Sequence, residues 1–358
     1  MGNLMNERSK METLYSKYQG FLVPSARILL GESGKDLIGD LNGQIGELTI
    51  ALSLDTAASA TFSVVNGYDD KNHCFYNSLM EQLCLGNLLK VELGYASSLE
   101  RVFSGFIYSV KADFQETAVL SVTALDVRRV MEDSVRKGLV WKYTTYSEVF
   151  KQVMEPYKKL YSKLVVDKTS DNAVESIMQN ETDLEFVKRL ATEGNREFFV
   201  FDDIIYFRRK AKRNSSITLT WGQDLISFSK ESIYADQKVT VLGLLKDSKD
   251  SVKAEVEVKT NPNIKQVVTG GTIWNINSPS SDTQDKAFQK AQKKAEEMRQ
   301  KKQSGQGTCI GLVQLIPGRP ITIAGLSSQI NGDYMLKNVT HSFGGEGFQT
   351  SFVIGGFS

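Results

Sequence analysis

From Glu47 the chain alternates apolar and polar residues at period two, with Leu48, Ile50, Leu52 and Leu54 on one side. That is the pattern of a half-buried strand. The same alternation predicts strands over 89–95, 102–110 and 118–124, with Gly and Asp between them. A run of short strands joined by turn residues implies a small antiparallel barrel or sandwich over 21–128. Residues 1–20 are polar without a sustained period and are expected to form a flexible N-terminal arm.

The period changes over 129–212, which reads as an α/β middle domain. Thr145 and Glu148 have capping-box spacing, opening a helix with Val149, Phe150 and Val153 that Pro156 stops. Thr182 and Glu185 repeat the signature ahead of a second helix bearing Leu184, Val187 and Ala191, with Gly194 placed to end it. Two apolar runs, Phe198–Phe201 and Ile204–Phe207, flank Asp202 and Asp203, the spacing of a two-residue hairpin turn.

Strand patterns resume over 217–221 and 239–244 and again in the last fifty residues, so 213–247 and 305–358 are expected to form a second β-barrel domain. Between them, 248–304 reads as an insertion. Its Val252, Ala254, Val256 and Val258 alternate with charged residues, as in an exposed hairpin or a charged edge strand. A helix over 283–303 follows, with Ala287, Ala291, Ala295 and Met298 on one face, a narrow small-residue stripe that permits close approach to a neighbour.

A long-range repeat links the two β regions. LLKVELGY followed by GFIYSVKADFQETAVLSVTAL is similar to RPITIAGL followed by GDYMLKNVTHSFGGEGFQTSFVI, and Ile107, Val110 and Phe114 have the spacing of Leu336, Val339 and Phe343. The fold expected is therefore β-rich α+β, with two tube-protein-like antiparallel β-barrels in one chain and a helical α/β insert between them. A subunit duplicated in this way counts twice in a ring. A trimer would present six similar units on one surface and keep threefold symmetry on the others.

Composition narrows the chemistry. Hydrophobic residues are 41% and charged residues 24% of 358, an ordinary globular balance, and the net charge of +1 provides no global field for nucleic acid or anionic membranes. Apolar runs fall far short of the ~20 residues that span a bilayer. The start has no signal-peptide core and Asn6 breaks the myristoylation pattern after Gly2, so synthesis in a bacterial cytoplasm is expected.

The chain resembles the baseplate hub proteins of contractile phage tails and related injection machines, the family of the late control D protein and the hub part of type VI secretion spike proteins. The residues carrying the resemblance are Gln179 to Ala191 followed by Phe198–Val200, Val102–Gly105, and Trp221–Phe228. The series Leu315–Gly318, Gly332–Tyr334, Val339–His341 and Gly347–Phe352 continues it, so that it covers roughly 24–358. The resemblance implies a homotrimer forming a pseudohexameric ring, with an inner tube protein on one face, a trimeric spike on the other, other baseplate components around it, and tape measure protein or cargo in the lumen. The chain would assemble into the baseplate of a virion or injection particle. No β-helix or lysozyme segment follows Ser358, so the spike tip is expected to be a separate protein and this chain is not expected to insert into a membrane.

Two other classes remain on these residues: a tail-associated cell-wall hydrolase and a carbohydrate-binding tail-tip module. Cys74, Cys84 and Cys309 lack paired spacing, and His73 and His341 are the only histidines. His73 beside Cys74 offers too few ligands for zinc and reads as a loop histidine beside a buried thiol. Cys309 with His341 is the one nucleophile–base combination within a proposed domain, but Cys309 falls on a loop or strand and not at a helix N-terminus that would lower its thiol pKa. His341 belongs to an alternating strand that the resemblance accounts for. Asp202–Asp203 suits a turn and Glu296–Glu297 a solvated helix face. Gly270–Thr272 and Gly344–Gly347 lack the strand-to-helix setting of a phosphate loop. The basic runs 208–213 and 290–302 lack interleaved aromatics, so no specific nucleic-acid recognition is expected. Trp141, Trp221 and Trp274 are far apart in sequence, unlike a sugar platform. No catalytic, cofactor-binding or metal-binding residue is assigned, and no cofactor is expected.

Overall fold

The structure is a computed structural model, and it describes residues 10–169, 174–209, 217–244, 251–259, 265, 267–269, 271–278, 281 and 283–355. The first β region contains α1 (Met11–Lys17), β1 (Pro24–Leu30), β2 (Lys35–Asp36), β3 (Gln44–Ser53), β4 (Ser59–Val65), β5 (Tyr68–Asp69), β6 (Cys74–Phe75), α2 (Asn77–Gln82), β7 (Leu88–Tyr95), β8 (Ser98–Phe114) and β9 (Ala118–Leu125). The middle of the chain forms α3 (Val127–Asp133), β10 (Leu139–Thr144), α4 (Tyr146–Met154), β11 (Lys163–Val166), β12 (Val174–Gln179), α5 (Asp183–Glu193), β13 (Glu197–Phe201) and β14 (Ile204–Arg208). There follow β15 (Thr218–Thr220), β16 (Leu225–Ser232), β17 (Asp236–Leu244), β18 (Ser251–Lys259), β19 (Thr272–Asn277), α6 (Gln284–Lys302), β20 (Gln303–Ile310), β21 (Pro320–Ala324), β22 (Gly332–Gly344) and β23 (Gly347–Gly355).

Both β regions belong to one 13-stranded sheet, ordered β16-β20-β23-β22-β3-β4-β9-β8-β7-β1-β2, with β21 on β22 and β15 on β21. The expectation of two tube-like β-barrels is corrected here. The sheet is open, and among the described residues no ladder closes either half into a barrel. The joint is β22. Its first residues pair with β21, and along the same side Asn338–Phe343 pair with Ser53–Leu48 of β3. Alternation along a strand records which face is buried but not which strand lies alongside, so the sequence could not reveal that one long strand serves two neighbours. One apolar core runs beneath both halves, from Leu48, Phe62 and Val122 to Phe352 and Ile354.

The internal repeat is visible in the hydrogen bonding. The five strands β3-β4-β9-β8-β7 have counterparts in β16-β20-β23-β22-β21. In β8 the register against β9 shifts between Ile107 and Ser109, and in β22 the register against β23 shifts at the matching place, between Leu336 and Asn338. Gly86 donates its N–H to the Ile107 carbonyl and Gly318 donates to that of Leu336, both glycines having left-handed φ. Core volume is conserved by exchange: Phe62 faces Val122 in one half, whereas Gly307 faces Phe352 in the other. A Cβ on Gly307 would lie 2.5 Å from the Phe352 ring, so the large side chain on one strand requires none on its neighbour.

Part of the stretch expected to be a flexible arm is ordered. Leu14 and Tyr18 of the first helix and its end are fully buried, and Gln314 donates to the Tyr18 hydroxyl at 2.7 Å. Its few apolar positions are too short a run to show a helical period, yet they suffice to cover one end of the core. Residues 1–9 lie outside the described residues.

A second core lies in the middle of the chain, where Phe150 of α4 stacks on Phe207 of β14 with ring centroids 4.5 Å apart. The hairpin turns at Asp202–Asp203, with Phe201 opposite Ile204. A third core belongs to β18-β17-β19 and α6, where Ala287, Ala291 and Ala295 are fully buried against valines of β17 and β18. Strand β17, which begins within the stretch expected to join the second barrel, pairs here instead. It is bonded on both sides within this small sheet, β18 being antiparallel and β19 parallel to it.

Candidate functional site

A strand of the large sheet that turns Leu48, Ile50 and Leu52 into the core must turn the alternate positions outward. Those positions are Thr49, Ala51 and Ser53 on β3, then Thr61 and Ser63 on β4, and Ser121 and Thr123 on β9. The second half matches with Gln306 and Thr308 on β20, Ser351 on β23, and Asn338 and Thr340 on β22. Hydroxyls meet across strands, Thr61 with Thr123 at 3.5 Å and Thr308 with Ser351 at 3.2 Å. In the second half the surface dips into a shallow hollow of 250 Å³ lined by these residues with Ser227, Gly307, Phe352 and the exposed Val353.

This outer face from β20 to β9 carries short hydroxyl and amide groups and no charged side chain at the alternating positions named. Charge surrounds these positions, with Glu47 at the start of β3 and Lys337 on β22 beside Gly355, and Glu231 on β16 and Lys111 and Asp113 on β8 at the margins. Such a wall holds water and offers neither the cations that grip phosphates nor the rings that stack bases.

The Cys309–His341 combination comes together, but inside the core. Cys309 and His341 both pair with Thr350, from the two strands flanking β23. His341 Nδ1 shares a hydrogen bond of 2.9 Å with the Thr350 hydroxyl, which also accepts the Leu312 N–H. Burial pushes the Cys309 thiol well above its ordinary range and lowers His341 to about 3. A buried thiol beside an imidazole that stays neutral does not form the thiolate that nucleophilic catalysis requires. In the other half of the sheet the same three positions are Val64, Leu120 and Ala112, which are plain apolar side chains.

The QNETD segment acts structurally. Asp183 is fully buried and accepts from Gln179 at 2.7 Å, Tyr157 at 2.6 Å and Arg136 at 3.0 Å. Burial raises the Tyr157 hydroxyl to about 12, keeping it a donor. Thr182 caps α5 by accepting the Glu185 N–H, and Glu181 holds Arg189 at 2.6 Å. Gln179, Glu181, Thr182 and Asp183 thus seat α5, while Asn180 accepts the Gly138 N–H at 2.8 Å at the start of β10.

Two further links escaped sequence reasoning. Arg101 of β8 donates to Asp202 at 2.6 Å and Asp203 at 2.8 Å, tying the middle hairpin to the sheet. Arg128 is fully buried on Asp126 and the Ser53 carbonyl. The Arg101 contacts span about a hundred residues and Arg128 reaches Ser53 across 75, separations that leave no local pattern to read.

The remaining candidates are dispersed. His73 sits at a left-handed turn beside an exposed Cys74. Among the described residues no three His, Cys, Asp or Glu could hold one metal ion, and no helix is long and apolar enough to cross a membrane. Arg208 pairs with Glu197, the Arg209 N–H donates to Asp167 at 2.9 Å, and residues 210–213 lie outside the described residues. Lys290 and Lys294 lie on α6, which covers the insertion sheet, and not on the hydroxyl face. Trp221 and Trp274 are half-exposed and belong to separate sheets. Gly270 and the Glu296 side chain lie outside the described residues.

Comparison with solved structures shows this fold in tail proteins. A tail protein from Neisseria meningitidis MC58 superposes with a TM-score of 0.68 at 14% identity, covering 93% of this chain and 97% of that one. The 43 kDa tail protein of prophage MuSo2 from Shewanella oneidensis gives 0.70 at 14% identity, over 92% and 98%. The E. coli c3393 protein is described as a component of the type VI secretion system similar to the T4 tail proteins gp27 and gp5. It gives 0.57 at 14% identity, over 88% and 74%. This chain therefore shares its fold with tail and type VI secretion proteins, as one open sheet and not as the two closed barrels expected. No curated protein matches by sequence. The Alg8 N-terminal domain family matches residues 33–344, most of the chain, and this protein belongs to that family.

Proposed function

We propose that this chain is a structural baseplate hub of a contractile tail or injection particle, made in the bacterial cytoplasm and assembled into the particle. Three copies form a ring with pseudo-sixfold order on one surface, joining a sixfold inner tube to a threefold spike. The observation that carries this reading is the duplicated five-strand unit, joined within the chain through β22 and β3. A ring of three such chains has six similar units, as a sixfold partner requires. The hydroxyl-rich face suits the wall of a lumen through which a tape measure protein or cargo moves. The fold shared with tail proteins over nearly the whole chain supports the same reading. The work is mechanical, and no residue is assigned to catalysis or to a cofactor.

Light scattering on the purified chain, alone and mixed with a spike partner, tests the reading. A mass near three times 39.9 kDa, or a three-to-three complex, is expected. A monomer in both samples sinks it.

A further inference from the structure

Within the chain, the second half of β22 carries β3 on the side away from β23. The equivalent stretch of β8, Ser109–Phe114, pairs with β9 on one side. Its ladder with β7 ends at Phe106, so among the described residues no strand occupies the other side. The counterpart of β3 is β16, which among the described residues ends the sheet with β20 as its one neighbour. Each chain thus displays one half of the β22–β3 seam at each of two places. One is a vacant strand edge on β8. The other is an edge strand, β16, with nothing to join.

We propose that β16 of one copy adds to the second half of β8 in the next copy, reproducing between chains the β22–β3 seam found inside each chain. The proposal rests on the ring reading above and supplies its contact.

The repeat sets the register. Leu225 opposite Cys309 corresponds to Ile45 opposite Val64, each followed by a register shift, so Phe228, Lys230 and Glu231 take the places of Leu48, Ile50 and Ala51. On the other strand, Lys111, Ala112 and Phe114 take the places of Thr340, His341 and Phe343. Thr340 faces Ala51 and Phe343 faces Leu48. Lys111 therefore faces Glu231 of the next copy, and Phe114 faces Phe228.

The chemistry fits the match. The seam inside the chain pairs Thr340 with Ala51 and Ser342 with Thr49, without charge on its outer face. The two edges carry opposite charges at the position where they would meet. Lys111 is 72% exposed and held by Asp113 of its own strand, while Glu231 is exposed. Charged residues on free edges discourage pairing with unrelated strands, and opposite charges directly across a ladder favour the correct one. Phe114 is 63% exposed, so an aromatic partner would remove apolar surface from water. The contact is head-to-tail, and it closes into a ring of three when each seam turns the next unit by about 60°.

The test is a charge swap with a cross-link. Lys111→Glu and Glu231→Lys should each weaken assembly about fivefold per seam, roughly a hundredfold over three seams, and the double swap should restore it. In a background lacking the exposed Cys74 and Cys84, Lys111→Cys with Glu231→Cys and a short thiol-reactive linker should give bands up to three chains, and either substitution alone should give none. A trimer by light scattering without cross-linking or charge rescue overturns the strand pairing and leaves the ring reading intact. A monomer in every sample, with and without the spike partner, overturns both.

Discussion

Replacing Arg128 with Met tests the link between the sheet and the middle of the chain. Arg128 is fully buried, and its Nε and Nη2 donate to Asp126 at 2.9 and 2.6 Å while Nη1 donates to the Ser53 carbonyl at 2.7 Å. Asp126 also accepts the N–H of Ala58 at 3.0 Å and caps α3 through the Arg128 N–H at 2.9 Å. The pair therefore holds the β3–β4 turn against the start of α3. Arg128→Met fits the volume but strands a buried carboxylate and leaves the Ser53 carbonyl without its guanidinium donor. Losing one partner of a buried pair costs about 3–5 kcal/mol. Native-state hydrogen exchange reads that loss locally, which suits a chain with several cores. Amides of 54–58 and 127–133 should exchange about 10²–10⁴ times faster. Adding Asp126→Asn keeps a capping side chain and removes the second charge, so it should recover at least half of the loss. A loss below about 1 kcal/mol in the single variant, or a double variant no better than the single, would refute the assignment.

Gly105→Ala should cost about 3 kcal/mol, since its Cβ would fall 2.3 Å from the Leu125 carbonyl oxygen and force the β8–β9 ladder apart. Gly345→Ala, with open space around it, should stay within about 0.5 kcal/mol in the same urea titration. Burial raises Asp202 from 3.8 to about 6 despite Arg101, so the folded state prefers its protonated form. Its contribution is complete below 3.8 and is lost as pH rises through about 6. Asp202→Asn, which tolerates the left-handed φ of 56° at this turn, should therefore gain up to about 3 kcal/mol relative to the parent between pH 3.8 and 7. A difference independent of pH would contradict this. Ellman's reagent should titrate Cys74 and Cys84 in the folded protein and Cys309 only after unfolding, and three rapid thiols would show the core to be open.

Much of the local structure was legible because its causes are local. The capping box at Thr145 and Glu148, the two-residue turn at Asp202–Asp203, and the alanine stripe of α6 each need only a few neighbouring residues to take effect. The repeat was legible because duplicated strands retain spacing, as Ile107, Val110 and Phe114 do against Leu336, Val339 and Phe343. The hydroxyl-rich outer face was present in the same alternation, but alternation does not say which of two faces meets the core.

The tertiary structure decided what depends on neighbours distant in sequence. Strand β22 takes β21 and β3 along one side, which turns two expected barrels into one open sheet, and no residue of β22 signals this by itself. Arg101 finds Asp202 across a hundred residues, and Cys309 and His341 meet at Thr350 only to be sealed in the core. The physical reason is common to all three. A strand's side-chain pattern fixes its faces through the pleat, whereas its edges are backbone, nearly the same in every sequence, and find their partners only when the chain folds.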